Sequence, residues 1–257
     1  MAHRQIQEVA SEVFMVEGIA SNWTVVREGR DLTLIDAGYP KDLENVLSSL
    51  EHLGGRIEDV RGVLITHAHV DHVGSLPGIQ AMHPIPMHAH DRELPMLRGE
   101  VHEQASARDV VRRCWRPRTA RWAFTVARAG GLSTIHLPQA RAVSTGTPLD
   151  LPGGPIALAC SGHTSGHTVY HLPQAGVVVT GDALVTGHQT SARLGPQLIP
   201  EFFTHDPATA RSTLDVLAEL GADAVVPGHG PSWRGPVREA VDRARAAHPA
   251  GSPQRRH

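Results

Sequence analysis

The run Thr66-His67-Ala68-His69-Val70-Asp71-His72 follows directly on Val63-Leu64-Ile65, an apolar stretch that reads as a buried strand. Four side chains able to ligate a metal thus fall within six residues of a strand end, where a loop can aim them at one point. Neutral imidazole is the commonest protein ligand for Zn²⁺, and aspartate adds a hard oxygen. A histidine-rich surface loop is the other use of such a run. Histidine is abundant here, 18 copies in 257 residues, but clustered rather than scattered, which favours a metal. The two cysteines, Cys114 and Cys160, form no CxxC pair, so neither a thiolate metal site nor a disulfide framework is indicated.

Around this run, strand and helix signals alternate. Val9 to Val16, Trp23 to Val26 and Leu32 to Ile35 predict a meander of short antiparallel strands. Leu43, Val46, Leu47, Leu50 and Leu53 predict a helix that stops at Gly54-Gly55. Val60 to Thr66 is a further strand, Gly74 to Met82 a short helix and Ile85 to Ala89 a short strand. Strands resume at Pro155 to Cys160, Thr168 to Leu172, Gly176 to Thr180 and Ala222 to Val226. Asp206 caps a helix through Leu220, and Val237 to Ala247 is the last helix. This mixture predicts an α/β protein with mixed sheets. Residues 91–131 break the rhythm, with nine arginines against five acids. They read as two inserted helices, Gly99 to Trp115 and Arg118 to Ala129. The expected organisation is one domain over 1–248 and a frayed tail over 249–257.

His67-x-His69-x-Asp71-His72 resembles the HxHxDH signature of the metallo-β-lactamase-fold hydrolases, and further motifs follow the family's order. Leu34-Ile35-Asp36-Ala37-Gly38 resembles its first motif and Gly162-His163-Thr164-Ser165-Gly166-His167 its GHTxGH element. Thr180-Gly181-Asp182-Ala183 and Pro227-Gly228-His229-Gly230 resemble its last two. The resemblance implies an αββα sandwich of two mixed β-sheets flanked by helices, with a two-metal site at one edge. Carried over by position, His67, His69 and His163 hold one divalent ion. Asp71, His72 and His229 hold the other, and Asp182 bridges. Zn²⁺ is the chemical default, with Mn²⁺ and Fe²⁺ also suited to nitrogen and carboxylate ligands. Asp71 is also the expected catalytic residue, orienting a water that two cations turn into hydroxide near neutral pH. Asp36 and His167 are expected to support ligands, with a turn role open for Asp36. Cys160 is expected in the core, and His188 and His205 either line the pocket or sit in solvated loops.

The expected substrate is a small molecule with an ester-type carbonyl (lactone, thioester or ester), because no acid is evident to protonate an amine leaving group. Within the family, glyoxalase II shares Thr164-Ser165-Gly166-His167 but continues past the last histidine with a glutathione-binding region, whereas 28 residues follow His229 here. Lactonases of the same branch share the Gly181-Asp182-Ala183 string but place a tyrosine where Val185 stands. Two other readings stay open: a single-iron oxygenase resembling the persulfide dioxygenases, and a non-catalytic metal-binding protein on the same fold. Trp115, Trp122 and Phe124 of the insert are candidates for an apolar lid or a homodimer contact. Arg112, Arg113, Arg116, Arg118 and Arg121 are candidates for receiving an anionic group. A net charge of −2 argues against nucleic acid, and no apolar run suits a membrane span. With no evident signal peptide, the expected location is cytoplasmic.

Overall fold

The computed structural model describes residues 5–247. The expected tail, 249–257, lies outside them. Fourteen strands, β1 to β14, and nine α-helices, α1 to α9, are formed among the described residues. In the first sheet, β1 (Ile6–Ala10), β2 (Val13–Glu17), β3 (Asn22–Glu28) and β4 (Asp31–Ile35) pair antiparallel in chain order. β5 (Val60–Leu64), β6 (Met87–Ala89) and β7 (Arg141–Ala142) then continue the same sheet in parallel. The second sheet has β8 (Ile156–Ala159), β9 (Thr168–Leu172) and β10 (Val177–Gly181), then β13 (Ala224–Pro227) and β14 (Trp233–Arg234), in the order β14-β13-β10-β9-β8. Only β10 and β13 in it run parallel. A hairpin of β11 (Val185–Gly187) and β12 (Leu194–Gln197) stands apart.

Strand periodicity builds the layers. In β10, Val177 and Val179 face the first sheet, while Val178 turns to the opposite side. In the first sheet, Ile35 and Leu64 join that shared core, and their neighbours Leu34 and Val63 face outward. Helices α1 (Leu43–His52) and α3 (Leu76–Met82) cover the outer face of the first sheet, through Val46, Leu50, Leu76 and Ile79. Helices α8 (Leu214–Ala218) and α9 (Val237–Ala247) cover the second, through Leu214, Leu217, Val237 and Val241. The result is the αββα sandwich the resemblance implies. Each apolar strand is buried on both faces, which is why its sequence reads as a near-continuous hydrophobic run.

Several boundaries differ from the sequence expectation, each for a local reason. The strand expected through Thr66 ends at Leu64, because Asp36 rather than a strand neighbour accepts the Thr66 N–H. The helix expected at Gly74 begins earlier, as α2 (Val70–Val73), and breaks before α3 where Gly74 lies tight against Pro40. The helix expected from Asp206 is divided into α7 (Pro207–Ser212) and α8 at Thr213, whose hydroxyl bonds the Ser161 carbonyl at 2.8 Å.

The insert departs most. Its first helix was expected over Gly99 to Trp115, but α4 (Leu94–Leu97) ends just before Gly99, whose φ of +78° suits a helix stop. Helix then resumes only as α5 (Ala107–Val111), where Ser106 and Asp109 cap each other. The second inserted helix, α6 (Pro117–Arg128), lies close to its expected span.

Candidate metal centre

Every expected ligand sits beside a strand end on the same edge of the sandwich. His67 and His69 follow β5, with Asp71 and His72 on α2. His163 lies between β8 and β9, while Asp182 and His229 follow the parallel strands β10 and β13. Six of these seven side chains are at most 5% exposed, and Asp71 is slightly more open.

The donor atoms fall into two groups sharing one carboxylate. His163 Nε2 lies 3.2 Å from His67 Nε2 and 3.0 Å from His69 Nδ1. On the other side His229 Nε2 lies 3.3 Å from Asp71 Oδ2, and His72 Nε2 3.8 Å from the same oxygen. Asp182 Oδ2 stands 3.4 Å from His163 Nε2 and 3.3 Å from His229 Nε2, and its Oδ1 is 3.5 Å from His72 Nε2.

Hydrogen bonds on the far side of the rings set the tautomers. Asp36 accepts the Thr66 hydroxyl at 2.7 Å and lies 2.8 Å from His72 Nδ1, which must therefore donate. Since the Thr66 proton goes to Asp36, its oxygen is left to accept from His67 Nδ1 at 3.0 Å. His229 Nδ1 donates to the Ala20 carbonyl at 2.8 Å. In each neutral ring, then, the Nε2 lone pair aims into the site, as a cation requires. Three lone-pair nitrogens crowded within about 3 Å cannot all be satisfied by protons, and all three chelating groups, His67–His69–His163, His67–His72–Asp182 and Asp71–His72–His229, fit a metal ion.

With no cation present the rings divide: His67 and His163 stay neutral, whereas His72 and His229 carry protons that a cation beside Asp71 would replace. Burial pushes His67 and His163 well down, with neighbouring imidazoles adding to it. Burial also acts against a charged His229, but Asp182 and Asp71 outweigh it and hold the ring at about 10. Burial would raise Asp182, yet the adjoining His229 and His72 keep it well below the usual carboxylate range.

Supporting residues pin these groups. Asp36 is held at φ +61°, a region unusual for a residue with a side chain, and there it reaches Thr66 and His72 together. His167 Nε2 accepts the Asp182 backbone N–H at 3.1 Å, fixing the strand end that carries the shared carboxylate. Cys160 is a buried core thiol, pushed up to about 11 by burial.

Five residues around the site were not foreseen by sequence or were left open by it. Glu93, fully buried, accepts from Ala68 N, Gly166 N and the Thr164 hydroxyl, and so ties the His67–His72 loop to the His163 loop. Glu103 accepts from Ser165 N and the Ser165 hydroxyl, bracing the same loop. His188 is no solvated loop residue: only 9% exposed, its ring lies 4.9 Å from that of His229. Burial, with His229 adding to it, pushes His188 down to about 3 and keeps it neutral. His205 stays half outside and touches the site through its backbone bond to the His163 carbonyl and the approach of its Nε2 to Glu103 at 4.0 Å. Tyr39 is 2% exposed and faces the donors, with its hydroxyl bonded to Asp71. Burial and the nearby carboxylates raise this phenol well above its ordinary range, so it remains a proton-bearing donor.

Burial raises Glu93 from 4.5 to about 7 against the pull of its three donors. Between those values the unfolded chain has lost this proton and the folded chain keeps it, so Glu93 contributes stability that is lost as pH rises through about 7. Urea titrations of the metal-free protein and its Glu93→Gln variant at pH 4.5 to 7.5 check this. Wild type is expected to lose its advantage over the variant at on the order of 1 kcal/mol per pH unit across the window. A gap that widens with pH contradicts it.

A cavity of about 270 Å³ opens over the donors, floored by His69, Asp71, His163, Asp182 and His229 and walled by the insert. Trp122 lines it, but Trp115 and Phe124 point away, 65% and 67% exposed. The arginines expected to meet an anionic group are turned outward as well. Arg113 stacks over Phe202 at 4.4 Å, Arg116 over Trp115 at 4.9 Å, and Arg118 donates to the Ser191 carbonyl at 3.0 Å. Arg112 and Arg121 are exposed. On α6 the helical phase that places Trp122 inward places Arg118 and Arg121 outward.

The chain resembles known proteins over most of its length. The chain is 27% identical over 218 residues to the probable metallo-hydrolase YflN of Bacillus subtilis, an alignment covering 79% of this chain and 76% of that one. Its fold is shared by a metallo-β-lactamase family protein of Thermus thermophilus, at a TM-score of 0.63 and 24% identity, over 89% of this chain and 74% of that one. A metallo-β-lactamase of Cronobacter sakazakii superposes at a TM-score of 0.67 and 16% identity, over 95% and 92%. The family model described as the metallo-beta-lactamase superfamily matches residues 16–229, from the second strand to the last histidine of the site, and the chain belongs to that superfamily.

Proposed function

We propose that the chain hydrolyses an ester-type bond, in an ester, thioester or lactone, with two divalent metal ions, Zn²⁺ by the chemistry of its donors. The observation that carries this reading is the position of Asp182. One of its oxygens lies within 3.4 Å of a nitrogen in each of two donor groups, so a single anion serves both. His67, His69 and His163 would hold one ion, and Asp71, His72 and His229 the other. Bound there, the ions supply Lewis acidity and a water acidic enough to react at neutral pH.

The chain's own residues divide the remaining work. Asp71, 3.3 Å from His229 and bonded by Tyr39, both ligates and orients the attacking water. Tyr39 has one O–H, which would turn from Asp71 to the oxygen on which negative charge develops once substrate enters the cavity. It supplies here what Val185, buried in β11, lacks the chemistry to supply. A phenol can stabilise an alkoxide or thiolate as it leaves, which suits ester-type bonds. Tyr39→Phe, which keeps the ring packing, is expected to lower kcat about ten- to hundredfold with little change in KM. An unchanged kcat would remove the tyrosine from this role.

Acid release from lactones, thioesters, simple esters and β-lactams, followed with a pH indicator on metal-replete protein, tests the reading as a whole. Turnover of an ester-type class is expected. Turnover of β-lactams alone, or of none of them, would contradict it.

A further inference from the structure

The cavity over the donors is asymmetric in its chemistry. Its floor carries all the charge, and its walls carry none: no arginine, lysine or glutamate lines it among the described residues. Two inserted segments build those walls with matching stripes. Val110, Val111 and Cys114 follow an i, i+1, i+4 pattern at and beyond α5, and Trp122, Ala123 and Val126 repeat it on α6. At the rim, Val111 and Leu132 stand 69% and 77% exposed, large apolar groups that nothing in the chain covers among the described residues. The small side chains Cys114 and Ala123 leave the space between the segments open rather than filling it.

We propose that this slot receives an uncharged, straight apolar acyl chain of medium length, with the carbonyl of the same substrate held over Asp71 and Asp182. The inference rests on the ester-type reading of the site and names the substrate class within it. An anionic substituent would find no counter-ion, because the insert's arginines are stacked on aromatic rings, bonded to backbone or in solvent. Apart from Gln104 and His188, the lining away from the floor is apolar, so a polar substituent along the Val110 and Val126 walls would leave its hydrogen bonds unmade. A methylene occupies nearly the volume of a water molecule, about 30 Å³. A cavity of about 270 Å³, which must also hold the carbonyl and its leaving oxygen over the donors, therefore takes a chain on the order of six carbons long.

Calorimetric titration of the metal-loaded protein with straight-chain carboxylates, acetate through dodecanoate, reads the slot without requiring turnover. Affinity is expected to rise about fourfold for each added methylene and to level off at about six carbons. Ala123→Phe, which fills the space between the segments, is expected to end the rise several carbons earlier. Should that variant not fold, Val110→Ser is expected to flatten the rise instead. Affinity independent of chain length overturns the slot, as does a series that neither substitution in a folded variant alters. A rising series in a protein that hydrolyses none of the esters keeps the slot and overturns the ester-type reading instead, so the two claims fail separately.

Discussion

Asp182→Ala is expected to bind at most one metal ion per chain and to lose hydrolysis by about a thousandfold or more. Losing a residue that merely supports a metal ligand already costs on the order of 10- to 100-fold in metal affinity, and Asp182 is itself the shared donor. Its two oxygens lie 3.3 to 3.5 Å from His163, His229 and His72. Without it the two groups become separate sets of three, and nothing negative stands between the two cations of the proposed site. The fold itself is expected to survive, because Asp182 projects from the end of β10 into the cavity floor rather than into the sheet core. Metal content by elemental analysis, circular dichroism for the fold and kcat/KM for activity give the three readouts. Full activity with two bound ions would remove Asp182 from its assigned role.

Gly228→Ala, a change of one methyl group, is expected to lower kcat/KM at least about a hundredfold. A Cβ at this position would run into Asp182 Oδ1 and lie 2.8 Å from His72 Cε1. The backbone has little freedom to withdraw: the Gly228 N–H is bonded to the Gly181 carbonyl, and its carbonyl accepts from Asn22 N, each at 2.8 Å. The added methyl must therefore displace the two ligands themselves, and misplacing reacting groups by about 1 Å costs on the order of a hundredfold. Global stability is expected to fall by only about 1 to 3 kcal/mol, as for other overpacked positions. Metal titration together with kcat/KM checks this, and wild-type values for both would contradict it.

The effect of Gly228 also explains why so much of the site could be read in the sequence. Short motifs at the ends of β4, β5, β10 and β13 combine ligands with the glycines and turn residues that aim them, so each is a local pattern. Asp36, His67, His72 and Asp182 meet because parallel strands end on one edge, an arrangement that the family resemblance implied and the strand pattern alone did not. Glu93 carried no such signal. It belongs to the insert, 25 residues from Ala68 and more than 70 from Thr164 and Gly166, and only the folded chain joins them. Tyr39 adjoins the Asp36-Ala37-Gly38 motif, but nothing local told its phenol to turn toward Asp71. The insert misled for a different reason. Its arginines and aromatics alternate along α6, so composition suggested both a lid and an anion site, while the helical phase that selects Trp122, Ala123 and Val126 could be fixed only by packing. Gly99, expected to start a helix, instead closes α4, and the Ser106–Asp109 cap delays the next helix to Ala107.

The central claim is that two groups of donors around one carboxylate act as a two-metal hydrolytic site. Metal stoichiometry tests it most directly: the purified protein is stripped with a chelator, titrated calorimetrically with Zn²⁺, and the bound metal counted by elemental analysis. Two ions per chain, with ester-type hydrolysis returning only as the second is bound, is the predicted result. A single tightly held ion, iron above all, with activity complete at that point, would contradict the account.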